Sequence, residues 1–184
     1  GVVLSDGMGS GEHAFQESAM VVEMLEELLE AGFPPCTAVQ MMNTALVAGR
    51  EELCFSTVDM CIFDLYQGTC ELMKAGASTT FIRTGGGVER VSSATLPVGV
   101  LQELEIERTV RQLGDGDFVV MVTDGVLDAL PVGNQEAMLS ALIGGAGTNN
   151  PGELAHYLLE QVLELSGEVP ADDMTILAVG LWKV

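Results

Sequence analysis

Three short acidic groups stand where hydrophobic runs end or begin. Ser5-Asp6-Gly7-Met8-Gly9-Ser10-Gly11 closes the first apolar run. Thr123-Asp124-Gly125 closes the run Phe118–Val122, and Asp172-Asp173-Met174-Thr175 opens the last one. Carboxylates gathered at one point repel each other unless cations neutralise them. Oxygen ligands with no sulfur or imidazole among them select Mg²⁺ or Mn²⁺. Gly7 has no side chain to keep a metal from its carbonyl. Taken singly, each Asp-Gly also reads as a plain turn. If the first, central and last strands are neighbours and the last runs antiparallel to the others, all three groups meet at one sheet edge.

Other chemistries fail on spacing. Gly7-x-Gly9-x-Gly11 does not continue as G-x-G-x-x-G, because residue 12 is Glu, and no G-K-[ST] follows. A G-x-S-x-G elbow around Ser10 needs glycine where Met8 stands. Gly114-Asp115-Gly116-Asp117 is too short for a calcium loop and reads as a hairpin turn. His13 either orients a phosphate or water or lies on the surface at a helix start. His156 reads as a structural residue of an amphipathic helix. No side-chain nucleophile with a partnering base is evident.

The elements that must position these residues follow from periodicity. A helix is expected from about Glu12 to Ala31, with Glu23, Glu26, Glu27 and Glu30 on one face and Val21, Leu25, Leu28 and Leu29 on the other. Gly32 stops it. Thr37-x-x-Gln40 reads as a capping box for a second helix to about Arg50, with Val39, Met42, Leu46 and Gly49 on one side. Strands are expected at Thr57–Leu65, Cys70–Ala75, Ser78–Arg83 and Ile106–Leu113, with a turn at Gln67-Gly68. Phe118–Thr123 is apolar throughout and reads as a central strand. Asn134 and Asn150 cap helices to about Ile143 and Leu165, and Met174–Leu181 is the final strand. Strands and helices in separate blocks argue for an α+β fold with antiparallel sheets.

The 184 residues suit one domain, 48% of them hydrophobic and 18% charged, which excludes a disordered chain. Mean hydropathy is +0.36, yet no run reaches the roughly 18 apolar residues a membrane span needs. The chain opens Gly1-Val2-Val3-Leu4 without a basic region, so it reads as neither a signal peptide nor a natural start; a fragment of a longer protein is expected. Seven Lys and Arg face 27 Asp and Glu, a net charge of −20. The basic residues are scattered, which excludes a nucleic-acid partner. Most of the acids solubilise the surface. Cys36, Cys54, Cys61 and Cys70 form no C-x-x-C pair and read as free buried thiols in a reducing compartment. The ten methionines read as core filler.

The acidic groups, together with Phe55-Ser56-Thr57-Val58-Asp59 and Leu96-Pro97-Val98-Gly99, stand in an order that resembles the protein phosphatase 2C (PPM) superfamily. Within it, the bacterial stage II sporulation protein E phosphatase branch is the nearest match. The resemblance covers essentially the whole chain. It implies an α+β sandwich of two antiparallel β-sheets flanked by pairs of helices. Between the sheets it implies a centre of two Mn²⁺ or Mg²⁺ ions that hydrolyses phosphoserine or phosphothreonine with a metal-bound water. Asp6 matches the bridging aspartate, Gly7 the carbonyl donor and Asp124 the ligand of the second metal. Asp172 matches a further ligand, Asp173 its neighbour and Asp128 an outer-shell acid.

The resemblance implies more about context. The substrate would be a small phosphorylated protein of the anti-sigma-factor antagonist type. The helices over 12–50 would switch the metal site. A membrane-anchored regulatory region would leave this part in the cytoplasm, with no membrane contact of its own. Residues 1–184 would be one PPM-type domain lacking its N-terminal strand or strands, including an acid in a Gly-Asp-Ser setting. The edge left open would favour a homodimer. The alternative reading is a catalytically inactive PPM fold kept as a regulatory or dimerisation module.

Overall fold

The computed structural model describes residues 1–9, 11–49, 55–167 and 172–182. Ser10, Arg50, Cys54, Pro170, Ala171 and Lys183 lie outside them. Along the chain run β1 (Val2–Leu4), α1 (Glu12–Glu30), α2 (Pro35–Ala48), β2 (Val58–Asp64), β3 (Thr69–Ala75), β4 (Thr80–Thr84) and β5 (Gly87–Val91). Then follow β6 (Glu107–Gln112), β7 (Phe118–Val122), α3 (Asp124–Asp128), α4 (Gln135–Gly145), α5 (Pro151–Ser166) and β8 (Ile176–Gly180). The strands form two antiparallel sheets, ordered β1-β2-β3-β6 and β5-β4-β7-β8. The α+β expectation holds, with helices flanking each sheet.

The chain groups into two compact units. One comprises Gly1–Phe63, Glu71–Ala77 and Ser93–Val110, the other Asp64–Cys70, Ser78–Ser92 and Arg111–Val184. In the first, Val21 and Leu25 of α1 and Val39, Met42 and Leu46 of α2 share a core with Val58, Met60, Met73 and Ala75 of β2 and β3. The acidic face of α1 stays exposed. Period-two alternation sends Val58 and Met60 toward the helices and Asp59 and Cys61 to the opposite face, also buried. There Lys74 Nζ lies 2.6 Å from Asp59 Oδ2, both side chains almost wholly buried. Burial pushes the Lys74 amine below the usual lysine range, against the pull of Asp59.

In the second unit β7 is buried along its whole length. Phe118, Val120 and Val122 face α3, α4 and α5 through Val126, Leu139, Ile143, Leu154, Leu158 and Val162. Val119 and Met121 are buried on the other side, which explains an apolar run without alternation. Asn134 and Asn150 cap α4 and α5 as read, each accepting from the amide three residues on.

Several expectations change. β1 pairs with β2, in a different sheet from β7 and β8, so the three acidic groups do not share one sheet edge. β7 and β8 are antiparallel neighbours, as supposed. α2 begins at Pro35, which presets the first helical φ, so Thr37-x-x-Gln40 lies inside the helix and caps nothing. Gly114–Asp117 is a turn, with Gly114 N–H donating to Asp117 Oδ2, but it joins strands of different sheets and is no hairpin. The glycine run at 85–87 does turn a hairpin, into the unexpected β5. His156 is exposed beside Glu160 rather than structural. Met42, Met60, Met73 and Met121 fill core, whereas Met8, Met20 and Met41 are exposed. Cys61 and Cys70 are buried outside any disulfide; Cys36 is half-buried.

The buried Lys74–Asp59 pair gives a stability test. Lys74→Ala strands a buried carboxylate and should cost about 3–5 kcal/mol in urea unfolding. Adding Asp59→Leu to Lys74→Met should recover most of that loss. A double variant no more stable than Lys74→Ala would show that the pair is not the source of the cost.

Candidate metal centre

In the first unit Asp6 lies two residues beyond the end of β1, and its backbone is tied on both sides to the segment before β2. Its N–H donates to Thr57 Oγ1 (2.9 Å). Its carbonyl accepts from Thr57 N–H (2.8 Å) and from the Ser56 hydroxyl (2.8 Å). Met8 N–H donates to Phe55 O, continuing the zipper past the strand end. Gly7 is buried, and a Cβ there would lie 2.1 Å from the Ala14 carbonyl oxygen in the first turn of α1. Only glycine lets the loop lie against that turn. The aspartate is thus held on rigid backbone while its side chain stays part-exposed.

In the second unit the chain leaves β7 at Thr123 and enters α3 at once, a helix the periodicity did not reveal. Thr123 clamps this junction to the start of β8. Its N–H donates to Thr175 O, and its hydroxyl accepts from Thr175 N–H (3.0 Å). A Cβ on Gly125 would lie 2.3 Å from Asp173 O and 3.4 Å from Asp172 Cβ. The clamp therefore brings Asp124 and Asp172 into one neighbourhood. Asp124 Oδ1 accepts from Gly125 N–H (2.9 Å) and Asp172 Oδ1 from Asp173 N–H (2.8 Å), which orients each carboxylate. Both are exposed, as are Asp173 and, one helical turn from Asp124, Asp128.

The donor chemistry fits a hard divalent cation: exposed carboxylates on fixed backbone, with no thiol or imidazole in either group. Among the described residues, no three His, Cys, Asp or Glu side chains converge as a metal-holding group. His13 is exposed and pairs with Glu17 at 3.3 Å on its own helix, the surface reading of that residue. Sequence reasoning missed Ser5, Ser56, Thr57, Thr123 and Thr175, whose hydroxyls or amides hold the aspartate backbones. The available signal was the run of Ser and Thr next to each acidic group and in Phe55–Asp59. Among the described residues no helix is long and apolar enough to cross a membrane.

Residues 1–182 match the family model for stage II sporulation protein E (SpoIIE). The chain is 33% identical over 177 residues to stage II sporulation protein E of Bacillus subtilis (strain 168), covering 96% of this chain and 21% of that protein. It is 31% identical over 181 residues to the Priestia megaterium protein of the same name, covering 98% of this chain and 31% of that one. The chain thus spans less than a third of the length of these curated relatives. The solved structure of the PP2C phosphatase domain and a fragment of the regulatory domain of the cell fate determinant SpoIIE from Bacillus subtilis superposes with a TM-score of 0.89. It is 33% identical, over 97% of this chain and 53% of that one. With both sheets and their helices matched, the chain belongs to the stage II sporulation protein E family and has that family's PP2C-type phosphatase fold.

Proposed function

We propose that residues 1–184 are a single metal-dependent serine/threonine protein phosphatase domain. Its substrate is phosphoserine on a small regulatory protein of the anti-sigma-factor antagonist type, and it works on the cytoplasmic side of a membrane-anchored protein. The observation that carries this reading is the clamped junction at Thr123–Gly125, which sets Asp124 beside Asp172 within a PP2C-type fold. The residues that would hold two Mn²⁺ or Mg²⁺ ions are Asp6, the Gly7 carbonyl, Asp124 and Asp172. Asp173 is a further candidate, and Asp128 would act from the outer shell. When bound, such ions supply Lewis-acid chemistry, neutralising phosphoryl charge and acidifying water.

The chain's own part is positional. Asp6 is fixed through both of its backbone groups. Asp124 and Asp172 each spend one oxygen on the following amide, which holds the carboxylate plane. Asp128, on the same helical face as Asp124, adds negative potential that favours cations. No Ser, Cys or His nucleophile is required, in keeping with the lack of one in the sequence motifs.

The test is phosphate release from a phosphoserine protein. Activity should require Mn²⁺ and fall at least about a hundredfold in Asp124→Asn, at or beyond the upper end of losses seen on altering residues that only support a metal ligand. Release unaffected by a chelator would refute metal dependence. Release unaffected by Asp124→Asn would remove Asp124 from the site. A second variant probes the clamp: Gly125→Ala forces the junction off β8, so activity should drop while circular dichroism stays unchanged. Full activity there would mean that the spacing of Asp124 and Asp172 is not critical.

A further inference from the structure

We propose that Ser56 is a positioning residue that aims Asp6 through the main chain; this rests on Asp6 being a metal ligand, as proposed above. Ser56 has no exposed surface, and three segments meet at it. Its backbone bridges Gly7 on one side and Val98 on the other. Val98 N–H donates to Ser56 O at 2.9 Å. Its hydroxyl lies 2.8 Å from Asp6 O and 2.8 Å from Ser5 Oγ, and Ser5 Oγ lies 2.7 Å from Thr57 O.

Each hydroxyl has one proton, so these two serines have two protons for three short contacts. One arrangement gives each carbonyl a hydroxyl donor: Ser5 donates to Thr57 O and Ser56 donates to Asp6 O. That arrangement leaves the two hydroxyl oxygens facing each other, a cost the backbone bonds must outweigh. In that arrangement the Ser56 proton lies on the Asp6 carbonyl.

The direction of the Asp6 Cα–Cβ bond follows from the two peptide planes that flank its Cα. The plane before it is held by Asp6 N–H on Thr57 Oγ1. The plane after it, shared with Gly7, is held by Asp6 O on Thr57 N–H and the Ser56 hydroxyl. Gly7 has no Cβ to restrict that second plane by its own sterics. Without the Ser56 hydroxyl, the Asp6 carbonyl loses one of the two bonds that tie it to Ser56 and Thr57. A ligand must be held to within about half an ångström to bind a metal well. Ser56 thus acts on metal affinity without touching the metal.

The experiment is Mn²⁺ binding to the 184-residue chain, read as free Mn²⁺ by electron paramagnetic resonance. It compares the unaltered protein with Ser56→Ala, Asp6→Asn and Leu46→Ala, the last a core change on α2 that lowers stability. Amide exchange at Asp6 and Met8 is followed by NMR without metal. Asp6→Asn should remove the tight binding and Ser56→Ala should weaken it about tenfold or more, in the range of outer-shell changes. Leu46→Ala should bind as the unaltered chain does. Exchange at Asp6 and Met8 should accelerate in Ser56→Ala beyond any change in Leu46→Ala.

Native affinity in Ser56→Ala alongside lost binding in Asp6→Asn would overturn the positioning role and leave the metal reading standing. Equal weakening in Ser56→Ala and Leu46→Ala would also overturn it. Native affinity in Asp6→Asn would overturn both. Should Ser56→Ala fail to fold, Ser56→Cys keeps the shape with a weaker donor. It should likewise weaken binding, and native affinity in it would sink the proposal.

Discussion

A Cβ on Gly125 would stand 2.3 Å from a backbone carbonyl oxygen, and one on Gly7 would stand 2.1 Å from another. In each unit an acidic residue precedes a glycine whose missing side chain lets two stretches of backbone touch. At Gly125 the partner is Asp173, next to Asp172; at Gly7 it is Ala14, in the first turn of α1. The aspartate that precedes each glycine is consequently anchored by main-chain geometry. Its carboxylate sits on a rigid support, which is what a ligand for a hard cation needs.

The hydroxyl residues around these contacts do the fixing. Thr123 and Thr175 close one junction with two hydrogen bonds, and Thr57 with Ser56 closes the other with three. Every one of these bonds involves a backbone group, and none of them uses an aspartate carboxylate. In β2, which follows the Ser56–Thr57 junction, Asp59 pairs with Lys74 in a buried face. Asp59 sits opposite Leu4 of β1 in the strand register, two residues before Asp6. The ion pair thus adjoins the strand end that carries the acidic loop.

Much of the fold was legible because it depends on local periodicity. The two faces of α1, the asparagine caps of α4 and α5, and the apolar length of β7 are each decided within a few residues. The failures came where a local pattern had a nonlocal rival. Thr37 and Gln40 satisfy a capping pattern, yet Pro35 starts the helix one half-turn earlier. Gly114–Asp117 has hairpin chemistry, but the strands on either side belong to different sheets. His156 has helical spacing that fits either face, and burial put it on the wet one.

The amino-acid order by itself determined the residue types of the candidate site: Asp6 with Gly7, Asp124 with Gly125, and Asp172, with no thiol or imidazole among them. That selection favours hard cations whatever the fold, since ligand softness is a property of the side chain. It also determined most of the helices and strands through hydrophobic period, though not α3 or β5. The strand partnerships came only with the tertiary structure, because hydrogen-bonded pairing in a sheet is made between residues far apart in sequence. β1 could have joined β7 on its apolar pattern alone; its register with β2, and the burial of Ser56 and Asp59 that goes with it, decided otherwise. The neighbourhood of Asp124 and Asp172 likewise exists only because β7 and β8 are paired and Gly125 leaves room for Asp173.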